Sequence, residues 1–382
     1  MRWLFNNDMM QGSSLRKSTF TVTSVILVVL VIVLAKPLIR KNLSLTSGDK
    51  TAIKIKSNLS STQWVSLTEE ERRLYIKKEK LVCGKPFQHC CIGQGRQLGT
   101  KHNNISQLFI KWKNPLSNIS TLLDYMSSKA IPCNLWFFGM SLSGDQAIGA
   151  LCALMRDANY TLLTNECVPY ANERWNEEDA LNCTLSKKGM PTSQYYKLTN
   201  PNRTSCPVVT VAHNSMSMSR TPKDSQLYFE RGGVIIVNHG VHCKEPGCVT
   251  SKLESWFKDL SFMSEKGWRV MYRETERQHF ASANGYYAIN MTKQKCHSLE
   301  EIGGDYRNKE ARTFLHKLAL VENTMIPIIP LASATEPLYF MHGFDSERGN
   351  FDCTHYVYSP WRLELTWDGI LRGLKGLYDE SI

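Results

Sequence analysis

Residues 134–146 read NLWFFGMSLSGDQ. The apolar run from Leu135 to Phe138 breaks at Gly139, and the stretch DQAIGALCALMRDA that follows has helical periodicity. A short apolar strand that turns at once into a helix is the first half of a βαβ unit, because strands of a parallel sheet are buried on both faces. The same punctuation recurs downstream. PVVTVAH at 207–213, GVIIVNH at 233–239, WRVMYRE at 268–274 and MIPIIPLA at 325–332 read as further strands. SKLESWFKDLSFMSEKG, NKEARTFLHKLALVEN and the tail RLELTWDGILRGLKGLY read as helices. This alternation predicts an α/β fold: a three-layer α/β/α sandwich around a mainly parallel sheet, in one domain over residues 83–382. No internal repeat interrupts it.

Composition narrows the setting. The 382 residues are 42% hydrophobic with nine Trp, enough for a large core, and the twelve cysteines suit disulfides in an oxidising compartment. The formal charge is +11, but no basic block interleaved with aromatics marks a nucleic-acid groove. No nucleic-acid partner is expected.

From Ser18 to Ala35 the sequence STFTVTSVILVVLVIVLA carries no charge, and as a helix it would be about 27 Å long, close to the hydrocarbon thickness of a bilayer. A cleaved signal peptide is the competing reading, since Val33-Leu34-Ala35 resembles a cleavage site. The seventeen-residue polar lead and the Lys36-Pro37 that follows favour an uncleaved anchor. Eight N-x-S/T sequons, at Asn42, Asn58, Asn104, Asn118, Asn159, Asn182, Asn202 and Asn290, all follow it. They place the remainder on the lumenal side. The expected organisation is a cytosolic tail over 1–17, a transmembrane anchor over 18–35, a stem over 36–82 and the domain over 83–382. The segment TEEERRLYIKKEK within the stem reads as a charged, solvated helix.

Chemistry in such a sheet belongs at the carboxyl ends of the strands. Ser141 falls there, before a helix whose N–H groups can stabilise an oxyanion, although a serine in this place can equally be a cap. Asn238 ends GVIIVNHG, where its amide is an oxyanion donor or a simple turn residue. Near the end of the chain, DCTHYVYSPW at 352–361 offers Asp352 and His355 three positions apart. His355 could take the Ser141 proton, and Asp352 could hold the imidazole in the useful tautomer.

The order of FFGMSLSGDQ, VIIVNHG, MYRETERQHF and DCTHYVYSPW resembles the PC-esterase branch of the SGNH (GDSL-type) hydrolases, which includes the plant trichome birefringence-like polysaccharide O-acetyltransferases. The pattern there is approximately GDSLxRNQ, NTGHWW, RTxxxxHF and DCxHWCLPG, and the likeness spans about residues 133 to 375. It implies an SGNH-like catalytic domain in which Ser141 is the nucleophile, His355 the base, Asp352 its orienting acid, and Asn238 with Ser141 the oxyanion hole. It implies that Arg273 and His279 form a substrate-binding wall; the local alternative for Arg273 is a surface pair with Glu274 or Glu276. It further implies a type II Golgi membrane protein that acts on a glycan without a cofactor, as acetyltransferase or esterase. Met140 and Gly144 depart from the pattern, which has Asp and often Arg in those places. A silent glycan-binding or accessory protein on the same fold is therefore the rival reading.

His239, His242, Cys243 and Cys248 could together hold zinc, but their spacing matches no standard finger. A Cys243–Cys248 disulfide closing a small loop is simpler, and no metal is expected. Cys90-Cys91 beside His89 invites the same reading.

Overall fold

The computed structural model describes residues 63–82, 109–168, 193–215, 232–282, 285–287, 295–299, 305–322, 324–345 and 350–379. The tail, the anchor, most of the expected stem, Cys83, His89 to Cys91 and the sequons at Asn42, Asn58, Asn104, Asn182 and Asn290 lie outside them. Every described residue belongs to one compact unit that runs from Ser57 to Ile382. Among the described residues, no helix is long and apolar enough to cross a membrane.

A seven-stranded sheet forms the middle layer. Its strands are β3 (Asn134–Gly139), β4 (Thr161–Val168), β5 (Ser193–Thr199), β6 (Val208–Ser215), β7 (Gly233–Asn238), β8 (Trp268–Arg273) and β9 (Ile328–Ile329). They lie in the order β4-β5-β6-β3-β7-β8-β9. The run β6-β3-β7-β8-β9 is parallel, while β5 pairs antiparallel with both β4 and β6. The expected strands are all present. Only MIPIIPLA is much shorter, because Pro327 and Pro330 bracket Ile328–Ile329 and lack the N–H that would extend the ladder.

Alternation along each strand feeds two cores. Leu135, Phe137, Val209, Val211, Val234, Ile236 and Met271 point to one face, where they meet α2 (Ile119–Ser128), α3 (Ser141–Ala158) and α7 (Pro360–Asp379). Trp136, Phe138, Ala212, Ile235, Val237, Val270 and Tyr272 point to the other, against α4 (Cys248–Glu265) and α5 (Tyr306–Val321). Burial on both faces of one sheet is what makes these strands apolar at successive positions.

The boundary expected at residue 83 moves toward the N-terminus. Strand β1 (Trp64–Ser66) pairs with β2 (Ile110–Trp112), and helix α1 (Glu69–Val82) begins with a capping box in which Glu71 N–H donates to Thr68 Oγ1 and Thr68 N–H to Glu71 Oε2. The helix is not solvated all round. Tyr75 is buried between Phe109 and Trp361, and Arg156 of α3 donates to its hydroxyl. Residues 63–82 are thus part of the domain. The remaining described elements are the short helix α6 (Ala332–Thr335), a 3-10 turn at Tyr339–Met341, and the hairpin β10 (His342–Asp345) and β11 (Asn350–Tyr356).

The chain leaves β3 on one side to build β4, β5 and β6, then returns to the other side for β7. The carboxyl end of β3 is therefore a topological switch point, the usual place for a ligand crevice. Ser141 stands directly above it.

Candidate active site

Gly139 lets β3 turn sharply into α3. A Cβ there would lie 2.5 Å from the Asn238 carbonyl oxygen and 2.4 Å from Ser143 Oγ, so only glycine allows this approach of strand, helix and neighbouring strand. Met140 is the N-cap and supplies no side-chain cap bond. Its carbonyl accepts from the N–H groups of Ser143 and Gly144, which leaves those of Ser141 and Leu142 in the first turn for an anion. Ser141 is the first helical residue, at the positive end of the helix dipole.

His355 arrives from the hairpin. In a regular strand, an offset of three would send Asp352 and His355 to opposite faces. The register breaks to prevent this: His342 pairs with Tyr356 but Gly343 with Asp352, so residues 353–355 are extra on β11 and bulge out. Asp352 Oδ1 closes the bulge by accepting from the N–H groups of Thr354 at 3.0 Å and His355 at 3.2 Å. Its Oδ2 lies 2.6 Å from His355 Nδ1, and His355 Nε2 lies 2.6 Å from Ser141 Oγ. The carboxylate fixes the proton on Nδ1, which leaves Nε2 as an acceptor for the serine proton. The side chains of His355 and Asp352 are 19% and 17% exposed, so the device opens to solvent at one rim.

The bulge is held from behind. Cys353 is disulfide-bonded to Cys296, its carbonyl accepts from the His279 N–H, and Gln278 Nε2 donates to Thr354 Oγ1 at 2.7 Å. His342 Nδ1 donates to the His355 carbonyl at 2.9 Å. Apart from the even cysteine count, nothing in the sequence signals these supports.

Three residues expected in the site take other positions. Asn238 is buried, and its amide donates to the Arg273 carbonyl at 2.9 Å and to Thr275 Oγ1 at 3.0 Å. Both amide hydrogens are thereby committed to the end of β8, and none remains for an oxyanion. Arg273 is fully buried and cannot form a substrate wall; its Nη1 donates to the Glu274 carbonyl and its Nη2 reaches Ser143 Oγ at 3.4 Å. Burial pushes its guanidinium down to about 10. His279 is likewise buried, behind the bulge and not in front of it.

The surrounding RETER segment is an interior charge cluster instead of a surface turn. Glu276 pairs with Arg362 of α7 at 2.5 Å, Arg277 with Asp305 at 3.2 Å and Glu274 with Arg312. Burial raises the Glu274 carboxyl above its ordinary range, against the pull of Arg312. Among the described residues, Arg273 makes no direct ion pair; the negative charges acting on it are those of Glu276 and, more weakly, Asp145.

Of the four candidate zinc ligands, His239, Cys243 and Cys248 come together, with one ligand atom of each within 4.8 Å of the others, and His242 does not join them. Cys243 and Cys248 are bonded to each other, and His242 is exposed. His239 Nδ1 is buried, and the ring packs edge-on against Trp256. A disulfide sulfur is no thiolate, so no metal site is assembled.

No family model, no curated protein and no solved structure matches this chain.

Proposed function

We propose that the chain is a serine-dependent acyl-transfer enzyme of the SGNH type, moving an acyl group, most simply acetyl, to or from glycan hydroxyls. The observation that carries this reading is the line of two 2.6 Å contacts from Asp352 through His355 to Ser141 at the switch point of the sheet. Ser141 Oγ attacks the ester carbonyl while His355 Nε2 takes its proton. The tetrahedral oxyanion is met by the N–H groups of Ser141 and Leu142 at the helix N-terminus. Collapse expels the alcohol, which leaves with the proton from Nε2, and the acyl group stays on Ser141. An acceptor sugar hydroxyl, or water, then attacks as Nε2 takes its proton; collapse breaks the bond to Ser141 Oγ, which recovers that proton from Nε2 as the new ester or acid departs.

The glycan acceptor, the acetyl group and a Golgi setting with a single N-terminal anchor come from the motif resemblance, the apolar run and the sequons. Asn118, Asn159 and Asn202, the sequon asparagines within the described residues, are all exposed. The test is labelling of the full-length glycoprotein by a fluorophosphonate, with the same labelling lost in Ser141→Ala. Absence of labelling in the wild-type chain overturns the enzyme reading.

The rival, a silent glycan-binding or accessory protein, draws support from the oxyanion site. Asn238 is consumed elsewhere, Met140 offers no polar group, and the His213 ring lies against Gly144, where an added Cβ would come within 3.1 Å of it. A chain that binds glycans yet fails to react with the probe fits this rival.

A further inference from the structure

Behind the bulge, two buried imidazoles stand in series. His279 Nε2 faces the Glu336 carbonyl at 2.9 Å, His279 Nδ1 faces His342 Nε2 at 2.6 Å, and His342 Nδ1 faces the His355 carbonyl at 2.9 Å. A carbonyl only accepts, so each outer contact requires an N–H on the ring. The inner contact requires one more proton between the two nitrogens. Three protons on two rings make one positive charge. Two neutral rings bonded to both carbonyls would instead oppose lone pairs at 2.6 Å.

We propose that His279 and His342 share one extra proton and act as a single buried imidazole–imidazolium unit whose protonation fixes the backbone of the catalytic His355. Aromatic faces offset part of the cost of a buried cation. The Tyr356 ring lies tilted over His342 with centroids 4.2 Å apart and meets His279 edge-on at 6.2 Å. Among the described residues, Asp352 of β11 attracts the unit, Arg277 after β8 opposes it at His279, and His355 opposes it at His342. Arg362 of α7 is turned to Tyr356, with its guanidinium 5.0 Å from that ring.

Burial pushes both imidazoles below the ordinary histidine range; the Glu336 carbonyl raises His279, and the His355 carbonyl with Asp352 raises His342. Burial brings His279 down to about 4, so the extra proton is held only in acid of about that strength and is given up well below neutrality. The strap on His355 is complete at acidic pH and one bond short above it. His342 and His279 are positioning residues, since neither reaches Ser141.

The role in catalysis rests on the acyl-transfer reading, but the proton count does not, and two measurements separate them. In full-length protein labelled with ¹⁵N-histidine, the ring nitrogens of His279 and His342 should report one shared proton at pH 3.5 that is lost by pH 6. Two neutral rings at pH 3.5 overturn the proposal whether or not the protein labels with fluorophosphonate. The second measurement is the labelling rate of wild type relative to His342→Asn. Asparagine keeps a donor for the His355 carbonyl but cannot carry the shared proton, and the ratio cancels the titration of His355 itself. The ratio should rise roughly tenfold between pH 6 and pH 3.5, within the range that small misplacements cost a catalytic group. A flat ratio overturns the positioning role. Should His342→Asn fail to fold, His279→Gln serves the same comparison: its amide N–H replaces Nε2 toward Glu336, and Nδ1 is gone.

Discussion

Asp352→Asn should abolish nearly all acyl transfer while leaving the fold in place. Among the described residues the carboxylate accepts three bonds, two at Oδ1 from the N–H groups of Thr354 and His355 and one at Oδ2 from His355 Nδ1. An amide of the same shape has one acceptor and one donor group, and it cannot serve both sides. With its oxygen toward the two backbone N–H groups, the bulge survives and the NH₂ meets His355 Nδ1. The imidazole then shifts its proton to Nε2, which points a donor at Ser141 Oγ and removes the base. With the amide turned over, the tautomer is right, but two backbone donors face an NH₂ group and the bulge loses both bonds. The first arrangement costs less, so the wrong tautomer prevails. The equivalent change in a serine-protease triad lowers kcat about 10⁴-fold, or about 5 kcal/mol of transition-state stabilisation. The assay is the fluorophosphonate labelling rate beside hydrolysis of an activated acetyl ester, with thermal unfolding as the control for folding. A variant that labels within tenfold of wild type, while Ser141→Ala does not label, would show that Asp352 is a turn residue only.

Other perturbations test the supports. Gly139→Ala places a methyl against the Asn238 carbonyl and Ser143 Oγ, and should cost about 1–3 kcal/mol in thermal or denaturant unfolding together with labelling activity. Glu276→Gln should destabilise more than Arg362→Met, because it leaves both Arg362 and Arg273 without their buried counter-charge; removing one member of such a pair costs about 3–5 kcal/mol, and equal losses would argue against the coupling to Arg273. Cys353→Ser opens a bridge spanning 57 residues, worth about 4 kcal/mol by chain entropy, and the labelling rate should fall even at temperatures where the protein stays folded. Asn202→Gln should remove the mass of one glycan and leave the labelling rate unchanged, whereas Asn118→Gln should also lose about 1 kcal/mol, because Asn118 Oδ1 caps α2 by accepting from the Thr121 N–H at 3.0 Å.

The doubly buried strands were legible because a parallel sheet writes itself as short apolar runs, as in β3 and β7. The edge was not. Strands β4 and β5 carry TLLTNECV and SQYYKLT, half polar, because an antiparallel pair at the rim of a sheet has one less face to bury. Helix α1 misled for a related reason: nine of its fourteen residues are Glu, Arg or Lys, and its one aromatic, Tyr75, finds its partners Phe109 and Trp361 only in distant parts of the chain. Asn238 and Arg273 were placed correctly at the strand ends, but their local patterns could not tell a side chain that faces the crevice from one that ties β7 to β8 beneath it. That difference is set by Thr275 and Ser143, whose positions depend on the assembled sheet.

The spacing of DCTHYVYSPW was readable, but its geometry was not. Three residues of offset on a helical turn bring two side chains together, and that is the simplest way to picture an Asp-x-x-His pair. Here the same offset lies in a strand, where it should separate them. The pairing His342↔Tyr356 followed by Gly343↔Asp352 resolves the conflict by ejecting Cys353, Thr354 and His355 from the ladder. Each ejected residue is then bound anew: Cys353 by Cys296, Thr354 by Gln278 and His355 by His342, with Asp352 bracing the turn from within. An unsupported bulge of three residues would leave its backbone groups unpaired and the imidazole free to turn, so the supports fix the 2.6 Å contact with Ser141 as firmly as the motif itself does. The supporting residues are scattered from 278 to 342, and their partnership exists only once β8, β10 and β11 have been brought to one edge of the sheet.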